Sequence, residues 1–192
     1  MDGLLSQSRV LNSSIFGGSG GDFIDVVTEG TVALSTTQTS TYHVIPASID
    51  MDNAIVLANY TTNNNSSTSD LRETAVRTDF EVVDGTQNLR FGRNQYSMAL
   101  TAYYKIVEFK NIKSIQTGFK QIDTTTSENI TISEVSDVDK CFVSISFSCA
   151  YTEPWKHQIA PKLTDTTTLR LQRGRSEIYS TASVRWFVVE FY

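Results

Sequence analysis

From Phe23 onward, short runs rich in Val, Ile, Thr, Tyr and Phe are separated by polar turns, and most runs alternate apolar and polar residues. A period of two is what a half-buried strand requires, because successive side chains point to opposite faces of a sheet. The pattern predicts strands near 24–34, 40–46, 54–60, 79–83, 87–92 and 98–109. It predicts a second series near 112–121, 128–134, 140–151, 166–172 and 182–191. Val83-Asp84-Gly85-Thr86 reads as a hairpin turn, since Asp-Gly readily supplies the positive φ of tight turns. Asp70 to Thr78 has room for a helical turn or two, and no segment has the periodicity of an amphipathic helix. Short strands at regular spacing point to antiparallel β-sandwiches or barrels.

The last strand of each series breaks the alternation. Val184, Trp186 and Val188 lie on one side of the final strand, and Phe187, Val189 and Phe191 on the other. A strand with large apolar groups on both faces packs on two sides: one face lines its own core, and the other meets a second unit or a neighbouring subunit. The two endings also match each other, Tyr104-Lys105-Ile106-Val107-Glu108-Phe109 against Trp186-Phe187-Val188-Val189-Glu190-Phe191. Further matches keep the same order: Leu89-Arg90-Phe91-Gly92-Arg93 with Leu169-Arg170-Leu171-Gln172-Arg173, Asp50-Met51-Asp52 with Asp137-Val138-Asp139, and Gly30 with Gly118. The offset drifts from about 80 residues near the endings to about 88 at the glycines, as expected when loops change length within a repeat. The fold class expected is therefore all-β: two tandem, internally duplicated antiparallel β-sandwich-like domains preceded by an extended N-terminal arm. The boundaries are 1–22 for the arm, 23–110 for the first repeat and 111–192 for the second. The joint, Phe109-Lys110-Asn111-Ile112, is short and lacks Gly, Pro or Ser, so the two units should move as one body.

Composition changes this picture mainly by exclusion. The net charge of −5, with no basic stripe, argues against a nucleic-acid partner. Arg170, Arg173 and Arg175 around Gly174 read as solvated arginines at a turn. No apolar run reaches the roughly 18 residues of a membrane span, and residues 1–21 lack a signal-peptide pattern, so no membrane partner is expected and synthesis is placed in a cytoplasm. Residues 1–22 are rich in Gly and Ser around a few apolar side chains; Leu4, Leu5, Val10, Leu11, Ile15 and Phe16 are the residues expected to dock this arm on a partner. In Cys141-Phe142-Val143-Ser144-Ile145-Ser146-Phe147-Ser148-Cys149 the odd positions are apolar, which puts both thiols on the buried face, about 26 Å apart and unable to bridge.

Candidate chemistry is sparse. His43 lies in a strand-like run and His157 in a loop, and no nucleophile elbow, phosphate loop or zinc spacing accompanies them. No catalytic residue, metal or cofactor is assigned, and the chain is read as not an enzyme. Glu108 and Glu190 occupy matching places, where a carboxylate bonded to a turn is a simpler account than a catalytic pair. Asp50-x-Asp52 and Asp137-x-Asp139 suggest calcium by their oxygen chemistry, but two carboxylates are too few ligands, and backbone bonding within a turn is favoured. The repeats differ most in two loops, Thr61–Ser69 and Tyr151–Pro161. Tyr151, Trp155 and His157 in the second are candidates to hold a ligand, Trp155 by stacking on a sugar ring.

A repeat of about 80 residues with a Gly after its opening strand, an acidic turn before an apolar strand and a closing aromatic-x-Val-Val-Glu-Phe strand resembles repeats of tailed-bacteriophage virion proteins. Gly30 and Gly118, the strands opening at Ala54 and Cys141, and the two endings are the residues that match. Lys105 departs from the apolar residue at Phe187. The resemblance implies a non-enzymatic virion structural protein. It would dock by its arm to capsid, connector or tail subunits and decorate or cement the capsid or head-tail region as a homo-oligomer. The alternative it leaves is a tail adhesin that recognises host carbohydrate.

Overall fold

In a computed structural model the chain is described over residues 23–62, 76–93, 99–123, 125–149, 158–174 and 181–192. The structure is all-β. The first six strands are β1 (Ile24–Leu34), β2 (Ser40–Val44), β3 (Ala54–Thr62), β4 (Arg77–Val83), β5 (Thr86–Gly92) and β6 (Leu100–Phe109). They are followed by β7 (Ile112–Ile122), β8 (Ser127–Thr131), β9 (Cys141–Cys149), β10 (Ile159–Asp165), β11 (Thr168–Arg173) and β12 (Ala182–Phe191). Among the described residues these make four antiparallel three-stranded sheets, in the orders β1-β6-β3, β2-β5-β4, β7-β12-β9 and β8-β11-β10. The third order is the first with every strand advanced by six, and the fourth is the second advanced likewise.

Alternation buries one face of each sheet against its partner. Leu34, Val56, Leu89, Phe91, Leu100 and Ile106 fill the space between β1-β6-β3 and β2-β5-β4. Ile122, Leu169, Leu171, Val184, Trp186 and Val188 do the same between β7-β12-β9 and β8-β11-β10. A third apolar layer joins the two halves: Ile55, Val107 and Phe109 of the first meet Phe187 and Val189 of the second. Ile24, Ile112, Ile115, Phe142 and Phe191 close around them. Phe191 meets Phe23 and Phe109 in T-shaped contacts, with ring centroids 5.3 and 6.1 Å apart. Each large side chain buried in this layer contributes about 1.5–3 kcal/mol. The two-faced burial expected of the final strand is thus present, and its second face meets the other half of the same chain.

Two backbone features let the chain turn as it does. Asp84 and Gly85 have φ of 49° and 75°, the positive pair that a type I′ hairpin needs, and join Val83 to Thr86. At the joint, Asn111 has φ of 54°, a conformation that Asn tolerates better than most residues, and redirects the chain from β6 into β7.

Three sequence expectations need correcting. Ile159–Asp165 is a strand, although the sequence pattern assigns much of it to a loop and to the turn before residue 166. Pro161 obscures it, and is accommodated because β10 is an edge strand, bonded among the described residues only to β11. Arg77 and Thr78, expected at the end of a helical turn, open β4. Arg173, expected to be a solvated turn residue, is only 3 % exposed. Neither cysteine forms a disulfide among the described residues; Cys149 lies within the second core and Cys141 is packed at its margin.

Candidate functional site

Leu4, Leu5, Val10, Leu11, Ile15 and Phe16 lie outside the described residues, as do Tyr151, Trp155 and His157. The described residues instead define a set of polar latches and a cavity lined by arginines.

The paired glutamates hold turns. Glu108 Oε2 accepts a hydrogen bond from the Asp50 amide at 2.9 Å. Glu190 Oε1 accepts from the Ser136 amide and hydroxyl, both at 2.6 Å, and from Lys113 Nζ at 3.1 Å, while Ser114 Oγ donates to Oε2 at 3.2 Å. In each half a closing strand therefore grips the segment that leads into β3 or β9. Asp50 and Asp137 cap the short 3-10 turns Met51–Asn53 and Val138–Lys140, accepting from the amides of Asp52 at 3.1 Å and Asp139 at 2.9 Å. The first Asp of each pair thus bonds the local backbone, as favoured from the sequence. His43 packs beside Tyr104 with ring centroids 5.4 Å apart, a structural setting.

Burial opposes ionisation of Glu190, but the Ser136 hydroxyl and amide and the Lys113 ammonium outweigh it and hold its pKa down at about 2. A carboxyl depressed from its ordinary 4.5 stabilises the fold fully above that value, and the stabilisation disappears as pH falls through about 2. Glu190→Gln should therefore melt lower than the parent at pH 7 and show a shallower loss of melting temperature between pH 4.5 and 2. Melting curves of both proteins across that window test this; equal acid slopes would contradict it. The Cys141 thiol, which donates to Asp137 O at 3.2 Å, is pushed up to about 11 by burial and by the charges of Glu190 and Asp137. It stays protonated at neutral pH, the unreactive form.

Arginines act as clamps at the ends of two strands. Arg93 Nε donates to Gln38 O at 2.8 Å and Nη2 to Ser35 O at 2.5 Å, and Arg173 Nη2 donates to Ile122 O at 2.6 Å. Both side chains satisfy carbonyls where β1 and β7 end, which explains why charged groups are buried there. A third set crosses between the halves. Arg77 Nε pairs with Asp79 Oδ2 at 2.8 Å, Arg185 Nε approaches Asp79 Oδ1 at 3.3 Å, and the Arg77 guanidinium lies over the Phe119 ring at 4.9 Å. Beside them Ser146 covers the open edge of β4. Its hydroxyl accepts from the Thr78 amide at 3.0 Å and donates to the Thr78 carbonyl at 3.2 Å. One side chain thereby satisfies both backbone groups on a strand edge that no other described strand covers.

A cavity of about 230 Å³ opens next to these contacts, lined by Thr39, Ser40, Arg77, Arg90, Gly92, Arg93 and Ser148. Three arginines and three hydroxyl-bearing residues line it, with no carboxylate among the described lining residues. Ser148 comes from β9, so both halves contribute to the wall. No local sequence signal unites residues from β2, β4, β5 and β9, and the strand pairing alone assembles them. Comparison of the chain with family models, with curated proteins and with solved structures finds no match.

Proposed function

We propose that this chain is a non-enzymatic structural protein of a bacteriophage virion, built by internal duplication. Its N-terminal arm docks on capsid, connector or tail subunits, and the two β units decorate or cement the head or the head-tail region as a homo-oligomer. The observation that carries this reading is the central apolar layer. Ile55, Val107, Phe109, Phe187 and Val189 join two units of equal strand order back to back, the construction expected of a rigid spacer. The recurring strand order supports the duplication, because the matched segments Leu89–Arg93 and Leu169–Arg173 run along β5, with Arg93 just past its end, and along β11, and the matched endings lie on β6 and β12. The particle, and the arm's role on it, rest on the sequence resemblance.

The test is a particle assembled with the chain lacking residues 1–22. Loss of the protein from purified particles, with the melting transition of the β units retained, is the expected result; undiminished attachment would overturn it. The tail-adhesin alternative draws support from the polar cavity, whose lining residue Ser148 precedes Tyr151 and Trp155 in the sequence. Failure of the intact chain to bind any host glycan would count against that alternative, and loss of binding in Trp155→Ala would favour it.

A further inference from the structure

We propose that the arginine-lined cavity between β2, β4, β5 and β9 is a binding site for a small molecule bearing an oxyanion group, a carboxylate or a phosphate. The inference stands apart from where the chain sits in a particle. Three arginines line the cavity in a chain whose net charge is −5, and no carboxylate is among the described lining residues. Arg77 shares Asp79 with Arg185, and Arg90 has a long ion pair with Glu81, 3.8 Å from Nη1, so neither carboxylate serves one of these arginines closely and alone. Arg90 Nε is buried without a hydrogen-bond acceptor among the described residues, a state that costs free energy unless a ligand or water completes it. Its guanidinium is steadied by the Tyr42 ring, 5.9 Å from the centroid. The hydroxyls of Thr39 and Ser40 add groups able to donate to oxygen or accept from a sugar hydroxyl. A volume of 230 Å³ equals about eight waters at roughly 30 Å³ each, so the ligand is larger than a bare oxyanion.

Gly92 keeps the cavity open. It faces Arg77 across the β4–β5 ladder and Ser40 across the β2–β5 ladder, and a Cβ built on it would come no closer than 3.9 Å to Arg77 Nη2. The matched position on β11 is Gln172, and the residue paired with it is Ala160, so the second half has neither the open glycine nor the arginine opposite it. The matched place in the second half therefore lacks the two residues that open the cavity, although Ser148 of that half helps to wall it.

The experiment follows the arginine Nε–H resonances of the labelled full chain by NMR during titration with glucuronate, glucose 6-phosphate or inorganic phosphate. Glucose and chloride at matched ionic strength are the controls. A saturable shift of the Arg90 signal with at least one oxyanion is expected, and the compound that produces it identifies the source. Arg90→Gln should weaken that binding about tenfold, the loss of one charge-assisted hydrogen bond, as read from the remaining arginine signals. Gly92→Gln, which copies a residue already tolerated at the matched place, should abolish it while leaving the melting temperature close to the parent's. Shifts equal to those with chloride, or undiminished binding in Gly92→Gln, would overturn the proposal.

Discussion

Replacing Phe187 with alanine should lower the stability of the chain by about 3–5 kcal/mol, and the damage should reach both halves. Phe187 is 2 % exposed and belongs to the layer between the halves, although its neighbours Trp186 and Val188 point into the second core. Truncation removes the burial of a large ring and leaves a hole bounded by Ile55 and Val107 of the first half. Hydrogen exchange is the decisive readout beside the denaturation curve. Faster exchange is expected in β3 and β6 as well as in β7 and β9, because the sheets on both sides lose support. Val184→Ala, on the same strand but facing the second core alone, should accelerate exchange mainly in β7 to β12. Exchange changes confined to the second half in both variants would mean that the central layer does not couple the halves.

Strands β6 and β12 show why much of this architecture is legible in the sequence. An edge or half-exposed strand alternates, so the continuous apolar run at the end of β12 had to be covered twice, and the matching run in β6 marks its counterpart. Gly30 and Gly118 are visible as matched glycines, and their reason is geometric: Gly30 pairs with Tyr104 and Gly118 with Trp186 in the sheet registers. The glutamate latches are readable in kind, since a carboxylate at a fixed place beside an acidic turn has few structural uses. Other features are hidden because polar residues look the same in sequence whether water or protein satisfies them. Ser146 and Ser148 occupy the polar face of β9, yet one covers the edge of β4 and the other is 1 % exposed. Arg173 sits among charged residues near a glycine and suggests solvent. A usable signal does exist, because Arg93 and Arg173 share the parity of Leu89, Phe91, Leu169 and Leu171, the buried side of β5 and β11. The cavity leaves no such trace, since its lining spans residues 39 to 148 and depends on how the two halves meet.

A single methyl group at Gly118 should be more disruptive than any surface substitution in the chain. A Cβ built there would run into Cζ2 of Trp186, the residue directly opposite in the β7–β12 ladder, and would lie 2.7 Å from its Cε2. Real carbon atoms do not approach so closely, and the indole is a rigid double ring, 8 % exposed and held in the second core. The ring or the strand must shift. Overpacking of this kind costs about 1–3 kcal/mol. An opposing gain of about 0.5–1 kcal/mol comes from removing the conformational freedom of glycine, so the clash decides the sign. Gly118→Ala is therefore expected to lower the denaturation midpoint. The cause is testable by a double-mutant cycle with Trp186→Leu, which destabilises on its own by emptying part of the core but removes the ring that the new methyl would strike. In the Trp186→Leu background the alanine should be neutral or stabilising, giving a coupling of about 1 kcal/mol or more between the two sites. Additive losses would show that Gly118 is needed for its backbone and not for the ring lying across it.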